Sequence, residues 1–304
     1  MEIPPYLRIA GELRQRIVDG ELAPGERVPS TRRIAQEWGV ALATATKVLA
    51  TLRQEGLVVA EARVGTVVAP LRSRSRRRVG SDGELSRERV VRAAIEIADA
   101  EGLAALSMRG VAERLGVATM SPYRHVGGKG ELITLMADAA YGELGYPDEA
   151  PRGWRARVEL GARTLWALHK RHPWLAQLTP VTRPLPLPNL LVHGEWLLSA
   201  LDGLGLGPAA TMNLQILVYS HLQGIAVNLE RETHAQAATG LSDEEWVDAN
   251  WPPSAGIGAS GWFPTFTRVV GGLVDGGGFD LDLDELFELG LGALLNGITL
   301  MAEH

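Results

Sequence analysis

Two stretches of this sequence each place a short helix between a capping serine and a glycine, with another helix after the glycine. The boundary residues are Ser30 and Gly39 in the first stretch and Ser107 and Gly116 in the second. A serine hydroxyl accepts a backbone N–H at a helix N-terminus, and glycine adopts the left-handed conformation that ends a helix. The spacing therefore predicts two separate helix–turn–helix motifs in one chain.

The first motif lies inside a longer pattern that favours three helices followed by a hairpin. Pro4 and Pro5 open an apolar helical repeat, helices over 31–38 and 41–55 follow, and the β-branched runs around residues 63–65 predict two short strands. A domain of this kind places one helix in the DNA major groove and its hairpin, the wing, against the neighbouring backbone.

The most specific sequence motifs of this N-terminal region are PPYLRIAGELRQRIVDGELAPGERVPSTRRIAQEWGV, LRQEGLV and the GT of the wing. Together they resemble the winged-helix domain of the GntR family. The residues that the resemblance implies at the DNA are Arg32, Thr44, Thr46, Lys47, Arg63 and Gly65. The arginines that usually read guanine in this family are absent from residues 41–47. A weak clamp that contacts mainly phosphates is therefore the alternative.

The second motif reads LSMRGVAERLGVATMSPYRHVGGKGEL, which predicts a helix over 108–115, one or two helical turns over 118–125 and a longer helix led by Lys129. This segment resembles the DNA-binding domain of the TetR family. The resemblance implies that Arg109 reaches a base or a phosphate and that Tyr123, His125 and Lys129 hold phosphates. The residues that it implies at base edges are Thr119, Met120 and Ser121. A phenol, an imidazole and an ammonium all donate to phosphate. For Tyr123 alone, a half-buried packing role is the alternative.

An arginine-rich run joins the two motifs in a chain whose net charge is −6. Residues 71–83 hold five arginines within seven positions. Residues 1–80 carry 14 basic and 8 acidic side chains, whereas residues 131–304 carry 9 and 21. This asymmetry indicates an end that faces nucleic acid and an end that does not. The run either follows the DNA backbone or enters a narrow minor groove, or it is a flexible tether.

The C-terminal half has a helical period, including a helix over 208–234. Residues 235–261 are rich in glycine, serine and proline and predict a break with one short capped stretch at Ser242–Glu245. The segments RGWRARV, RHPWLAQL and FELGLGALLNGI of this half resemble the C-terminal domain of tetracycline-repressor-like regulators. The resemblance implies a helical dimer with one small-molecule pocket per subunit. The candidate effector-binding residues, aromatic or polar groups on otherwise apolar helices, are Trp166, Trp174, His193, Trp196, Tyr219, Gln223 and Asn228. For each of them a place in the core or in an interface is the alternative.

The last helix carries a stripe of small residues formed by Gly290, Ala293 and Gly297. Small residues let a second helix approach closely. Two long apolar helices in one small domain favour an isologous homodimer, and packing within one chain is the alternative.

The expected fold class is mainly all-α, with a small β-hairpin in the N-terminal winged helix. The predicted organisation is a winged-helix domain over 1–70, a linker over 71–83, a helix–turn–helix domain over 84–145 and an effector-binding and dimerisation domain over 146–304. We expect a transcriptional repressor that binds a double-stranded DNA operator under the control of a small-molecule effector. The sequence leaves activation open.

Composition excludes several other classes. The chain has no cysteine, which excludes disulfides and cysteine-ligated zinc. An apolar leader is absent from the N-terminus, and the longest apolar stretch near the C-terminus is shorter than the roughly 20 residues that a membrane span needs. A cytoplasmic protein without a membrane partner, cofactor or metal site is therefore expected.

The competing class is a winged-helix regulator with an enzymatic or metal-binding C-terminal domain. Lys170 is the one lysine beyond the DNA-binding regions that a Schiff base could use. His169 and His172 lie three positions apart, yet no carboxylate follows at metal-motif spacing. No glycine-rich phosphate loop and no nucleophile elbow occur. The sequence therefore favours a protein that is not an enzyme.

Overall fold

The computed structural model divides the chain into two compact units, Met1–Ala140 and Tyr141–His304. The residues that it describes are 4–61, 64–69, 85–178, 180–250, 262–276 and 280–303. Arg63 and the arginine-rich run therefore lie outside the described residues. Within them, helices dominate and the sheet is a single pair of antiparallel strands, which confirms the mainly all-α fold class.

The first unit contains two small helical modules. In chain order its elements are α1 (Pro5–Val18), α2 (Thr31–Glu37), α3 (Leu42–Gln54), β1 (Val58–Glu61), β2 (Gly65–Val68), α4 (Arg87–Glu101), α5 (Met108–Leu115), a 3-10 helix (Pro122–Arg124) and α6 (Lys129–Tyr141).

The N-terminal module is a winged helix. Helix α1 packs across α3, and the contact buries Ile9 and Leu13 of α1 together with Val48 and Leu52 of α3. These four side chains recur at helical spacing, so each helix turns one apolar stripe inward. Strands β1 and β2 pair antiparallel, with Val59 opposite Val67.

Serine caps begin the first two helices of the second module, at Ser86 and at the predicted Ser107. The Ser86 hydroxyl accepts the Arg89 N–H at 3.3 Å at the start of α4, and the Ser107 hydroxyl accepts the Gly110 N–H at 3.0 Å at the start of α5. Gly116 ends α5 with φ +67°. The helix predicted over 108–115 therefore forms with the predicted bounds.

The structure corrects the helix predicted over 118–125. Only Pro122–Arg124 is helical there, as a 3-10 turn. Pro122 has no N–H to donate to Ala118, and the surrounding N–H groups bond three residues back, as Ser121 does to Ala118 at 2.8 Å. Residues 118–121 form a turn instead of a regular helix.

The second unit is a bundle of helices. Its elements are α7 (Trp154–Arg171), a 3-10 helix (Pro173–Gln177), α8 (Pro188–Leu201), a 3-10 helix (Asp202–Leu204), α9 (Pro208–Thr239), α10 (Asp243–Asn250), α11 (Pro264–Asp275) and α12 (Leu283–Ala302).

Helices α7 and α8 pack most closely in this unit, because Gly161 of α7 leaves room for α8. A Cβ at this position would lie 2.7 Å from a methyl carbon of Leu197 and 2.9 Å from the Trp196 ring. Helix α12 packs on α9 through its buried face, formed by Phe287, Leu291, Leu295 and Ile298. These helices surround the core in which the candidate ligand site lies.

Two helices depart from the sequence expectations. Helix α9 continues to Thr239, through residues expected to form a glycine-, serine- and proline-rich break. Helix α12 is the one described helix that is long and apolar enough, by length and composition, to cross a membrane. Of its apolar stretch 22% is buried, along the face that packs on α9, and the rest of the helix stays half-buried or exposed in the single chain.

Candidate nucleic-acid interface and ligand site

The winged helix turns most of its predicted DNA contacts outward. Arg32 and Thr46 are exposed, and the Thr46 hydroxyl donates to the Leu42 carbonyl at 2.9 Å. The exposed Lys47 ammonium lies 4.3 Å from the centre of the Tyr6 ring, a cation–π contact that orients it. Thr44, one turn of the helix away, is half-buried.

The wing glycine has a backbone conformation that suits its predicted role. Gly65 opens β2 with φ +112°, is exposed, and has no atom within 4 Å of the position of a Cβ. Glycine adopts this conformation without steric cost. Arg63, its predicted partner at the tip of the wing, lies outside the described residues.

A basic cavity of about 620 Å³ lies between the wing and the start of α2. Its charged lining consists of Arg16, Arg27 and Arg33 with Glu26. Arg16 lies 3.3 Å from the Glu21 carboxylate, and Arg16 and Arg33 both lie 4.0 Å from that of Glu37. Surface ion pairs of this kind contribute little to stability, so these guanidinium groups can exchange them for an anionic partner such as the DNA backbone. Together with Arg32 and Gly65, this lining forms the candidate DNA face of the first module.

The second module presents its base-facing candidates less openly. Thr119, Met120 and Ser121 are half-buried in the turn that precedes the 3-10 helix. Arg109, on the exposed side of α5, donates to the Glu113 carboxylate at 3.0 Å. A surface ion pair of this kind contributes little to stability, so the guanidinium remains able to exchange partners.

The three candidates for phosphate contacts lie close together in the sequence, between Tyr123 and Lys129, but their side chains differ in exposure. Tyr123 is buried, and its hydroxyl donates to the Glu55 carbonyl of the winged helix at 3.3 Å. Burial, assisted by the nearby Glu55 charge, raises the pKa of Tyr123, so its hydroxyl stays protonated. His125 is half-buried and its carbonyl accepts from Arg87 at 3.0 Å. Lys129 begins α6, and partial burial lowers its pKa.

Three of the effector candidates, Trp166, Trp174 and Asn228, are held by contacts within the bundle. The Trp166 ring stacks on Phe287 with centroids 4.8 Å apart, and its indole N–H donates to Asp284. Trp174 is fully buried. Asn228 is exposed and donates to the carbonyls of Gly224 and Ile225.

Gln223 lies on an open cleft of about 340 Å³. Its side-chain amide donates to the Ala176 carbonyl at 3.3 Å, and Gln177 and Ser220 also line the cleft. On α9, Gln223 lies one helical turn from Tyr219. The cleft is therefore next to the helix face that carries another candidate.

Of the remaining three candidates, His193 and Tyr219 belong to a polar cluster in the bundle core, and Trp196 stacks against it. We call it the histidine–tyrosine cluster, and its members are Tyr141, Tyr146, His169, His193 and Tyr219. The Tyr141 and Tyr219 hydroxyl oxygens lie 3.3 Å apart. The Tyr146 ring stacks on Trp196 with centroids 4.0 Å apart, and the Trp196 N–H donates to the Arg157 carbonyl.

His169 is the member of the cluster whose hydrogen-bonding capacity is least used. It is fully buried, and its ring lies 6.0 Å from that of Tyr141 and 6.4 Å from that of Tyr219, both in edge geometry. Its Nδ1–H donates to the Leu165 carbonyl at 2.9 Å, and its Nε2 has no hydrogen-bond partner among the described residues. Burial lowers its pKa to about 4. At neutral pH it therefore holds a bare acceptor nitrogen beside two phenol rings.

Sequence reasoning missed Tyr141, Tyr146 and His169 as ligand candidates. In the sequence, His169 stands out only as one of two histidines three positions apart, a spacing considered there for a metal site. His172 instead lies with its Nε2 3.1 Å from the Glu143 carboxylate, and the described residues contain no group suited to hold a metal ion. The available signal was the position of His169 one turn after Leu165 on the apolar face of α7.

Two family profiles match the chain. The profile of the tetracyclin repressor-like C-terminal domain matches residues 146–302, and that of bacterial regulatory proteins of the gntR family matches residues 5–68. Together they span the winged helix and the helical bundle.

Relatives and solved structures agree with these profiles. The chain is 38% identical over 223 residues to the HTH-type transcriptional repressor DrrR1 of Streptomyces coeruleorubidus, covering 73% of this chain and 80% of that one. It is 35% identical over 140 residues to an HTH-type transcriptional regulator of Saccharopolyspora erythraea, covering 46% of this chain and 59% of that one.

The TetR family protein ActR of Streptomyces coelicolor, solved in complex with actinorhodin, has a similar structure. The TM-score is 0.57 at 28% identity, and the match covers 73% of this chain and all of that one. The same protein in complex with (S)-DNPA gives a TM-score of 0.54 at 28% identity, over 72% of this chain and all of that one.

Proposed function

Because this chain belongs to the tetracycline-repressor-like family of transcriptional regulators, with a GntR-type winged helix in front, we propose that the histidine–tyrosine cluster recognises its effector. The chain is a ligand-responsive DNA-binding repressor. The observation that carries the assignment of the effector site is the buried, unpaired Nε2 of His169. A buried acceptor without a partner costs free energy, which a ligand donor would recover.

The cluster favours a planar aromatic effector with hydroxyl and carbonyl oxygens. His169 Nε2 accepts from a ligand hydroxyl, while the Tyr141 and Tyr219 hydroxyls donate to ligand oxygens or accept from them. The rings of Tyr146 and Trp196 already stack face to face, which gives the site a flat apolar wall. The complexes of ActR with actinorhodin and (S)-DNPA support a search among such ligands.

The open cleft beside Gln223 is the proposed entrance. Its lining combines amide groups with the apolar surface of Ala176, Pro180 and Val227. A ligand that passes Gln223 meets the α9 face that carries Tyr219. Entry between α9 and the 3-10 helix after α7 would change their packing, which is how an effector would shift the bundle between two conformations.

The experiment titrates the full chain with actinorhodin and with (S)-DNPA. Tryptophan fluorescence reports binding, and release of a duplex selected by the wild-type chain from a random-sequence library reports the response. His169→Gln is expected to weaken binding about five-fold or more, which corresponds to one buried hydrogen bond.

His172→Gln is the matched control, because His172 is equally a buried histidine but pairs with Glu143 outside the cluster. Its affinity for the probe should stay near that of the wild type. Equal affinity in the two variants would contradict the assignment of the effector to His169.

We infer that the protein acts as a homodimer through α9 and α12. These helices pack on each other and still expose Met212 and Leu217 on α9 and Leu289 and Leu300 on α12. Gly297 of the predicted stripe has no atom within 4 Å of a Cβ position, so this part of the helix is open to a partner. Gly290 is covered by His221 of the same chain.

The operator contacts are proposed for the exposed faces of both modules. The residues concerned are Arg32, Thr44, Thr46, Lys47, Arg63 and Gly65 in the first and Arg109, Thr119, Met120, Ser121, Tyr123, His125 and Lys129 in the second. Since the family consists of regulators that bind DNA and small molecules, we further propose a cytoplasmic protein with no catalytic activity of its own. Lys170 fits this view, because its ammonium pairs with the Asp284 carboxylate at 2.9 Å.

A further inference from the structure

One guanidinium joins the winged helix to the helix–turn–helix module within the first unit. Arg14 of α1 donates from Nε and Nη2 to the two carboxylate oxygens of Glu55, at 3.0 and 2.7 Å. This is the bidentate geometry that gives strong charge-assisted hydrogen bonds. Only 12% of the Arg14 side chain and 9% of the Glu55 side chain are exposed. A pair so far from water is costly to separate, so it holds Arg14 in place.

The same side chain reaches the turn before α6. Arg14 Nη1 donates to the Gly127 carbonyl, and its Cζ lies 5.9 Å from the centre of the Tyr123 ring. Gly128 has φ +139°, and a Cβ there would lie 3.0 Å from Arg14 Cζ. Glycine at this position therefore permits both the backbone conformation and the close approach of the guanidinium.

The Tyr123 hydroxyl completes the contact from the other side. It donates to the Glu55 carbonyl at 3.3 Å, and only 6% of the residue is exposed. The Glu55 carboxylate is close enough to act on Tyr123 electrostatically. A DNA phosphate at Tyr123 would have to displace the Glu55 carbonyl and approach a carboxylate of like charge.

The DNA face of the winged helix itself remains open in this arrangement. Arg32, Thr46 and Lys47 are exposed, and none of them takes part in the contact around Arg14. The contact therefore covers Tyr123 of the second reader and leaves the DNA face of the first reader free.

We propose that the winged helix docks on the phosphate-holding corner of the helix–turn–helix module through Arg14 and Glu55, and that it competes there with DNA for Tyr123. The inference rests on the DNA-binding function and on the proposed contact of Tyr123 with phosphate. In the docked state the first reader engages DNA and the second is closed. Opening of the contact frees Tyr123 and adds the second reader to the same duplex.

The decisive variant is Glu55→Gln, which removes the carboxylate and keeps the carbonyl that accepts from Tyr123. Glu12→Gln is the matched control, since it makes the same charge change in the same module, away from the lining of the DNA face, and its amide oxygen can still accept from the Trp38 indole N–H, which lies 2.8 Å from the Glu12 carboxylate. If the contact keeps about nine in ten molecules closed, opening it raises the apparent affinity for DNA about ten-fold. The probe is a duplex that the wild-type full chain selects from a random-sequence library.

Docking is measured directly in the same proteins. Because the chain has no cysteine, Gln36→Cys and Glu101→Cys give one dye site in each module, both exposed. We expect energy transfer to fall when the selected duplex is added to the wild-type chain, and to be lower in Glu55→Gln than in Glu12→Gln before any DNA is present.

Each other result has a distinct meaning. Energy transfer that stays constant on DNA binding, or a Glu55→Gln affinity that equals or falls below that of Glu12→Gln, overturns the competition and indicates that the docked modules read DNA together. Failure of all three proteins to bind duplex DNA in preference to bulk competitor overturns the DNA-binding function and the competition with it.

Discussion

The Tyr146 hydroxyl lies 2.7 Å from Nδ1 of His193, while Nε2 of the same imidazole lies 2.8 Å from the Tyr141 carbonyl. A carbonyl only accepts, so Nε2 carries the proton and Nδ1 accepts from the tyrosine. Burial lowers the pKa of His193, which agrees with this neutral tautomer. One histidine therefore ties Tyr141 and Tyr146, at the start of the second unit, to α8.

Removal of the Tyr146 hydroxyl tests this connection. Tyr146→Phe keeps the stack on Trp196 and leaves His193 Nδ1 without its donor, so the free energy of unfolding should fall by about 1–2 kcal/mol. Urea denaturation of the full chain at fixed protein concentration measures the change. An unaltered midpoint would show that the hydroxyl makes no net contribution.

The stability of the protein should fall as the pH is lowered from neutrality, because of His169. The pKa of His169 is about 4 in the folded chain, against the ordinary value of 6.5 that applies in the unfolded chain. Between pH 4 and pH 6.5 the imidazole is therefore protonated in the unfolded chain and neutral in the folded chain. Unfolding therefore becomes more favourable as the pH falls through this window, by an amount on the order of 3 kcal/mol at its lower end. His193, whose pKa is lowered in the same direction, adds to the effect.

The measurement is the free energy of unfolding of wild type and His169→Gln across this pH window. Glutamine does not titrate, so the variant should show a clearly flatter dependence. Parallel curves for the two proteins would mean that His169 titrates alike in the folded and unfolded chains.

Two glycines of α12 lie in different surroundings: Gly290 packs against a side chain of the same subunit, and Gly292 faces open space. A Cβ at Gly290 would lie 2.0 Å from Cε1 of His221, which bonds to the Phe287 carbonyl at 3.1 Å, whereas Gly292 has no atom within 4 Å of that position. Gly290→Ala must displace the histidine and should destabilise by about 1–3 kcal/mol. Gly292→Ala should be neutral, or stabilise by up to about 1 kcal/mol through helix propensity.

Chemical denaturation of both alanine variants provides the comparison. The interpretation fails if Gly292→Ala costs as much as Gly290→Ala, since the loss would then come from the helix itself or from a partner. Retention of full stability in Gly290→Ala would show that the His221 ring moves aside freely.

Local signals predicted the elements of this fold well because their causes are local. Ser107 and Gly116 bound α5 as expected, and Ser242 and Glu245 form the predicted capping box at the start of α10, with N–H···O distances of 2.8 and 3.1 Å. The prediction of a helix over 118–125 was wrong for an equally local reason. Pro122 has no N–H to donate, and this could have been read from the sequence.

The contacts that define the two candidate sites have no such local signal. Tyr123 is covered by Glu55, 68 positions earlier, and His193 meets Tyr141, 52 positions earlier. Periodicity places these side chains on a helix face but does not identify the partner across the gap. His169 shows the limit most clearly, because its unpaired nitrogen is visible only when all its neighbours are in place.

The proposed dimer face gives the last prediction, which compares two leucines of similar exposure. Leu289 on α12 is 73% exposed and Leu191 on α8 is 63% exposed, so a glutamate at either position leaves the subunit core intact. Leu289→Glu places a charge in the α9–α12 interface and should raise the dimer dissociation constant by at least about ten-fold. Leu191→Glu makes the same chemical change away from that face and should leave association unchanged. Sedimentation equilibrium of both variants measures the difference, and a Leu289→Glu protein that remains as fully dimeric as Leu191→Glu would place the subunit contact elsewhere.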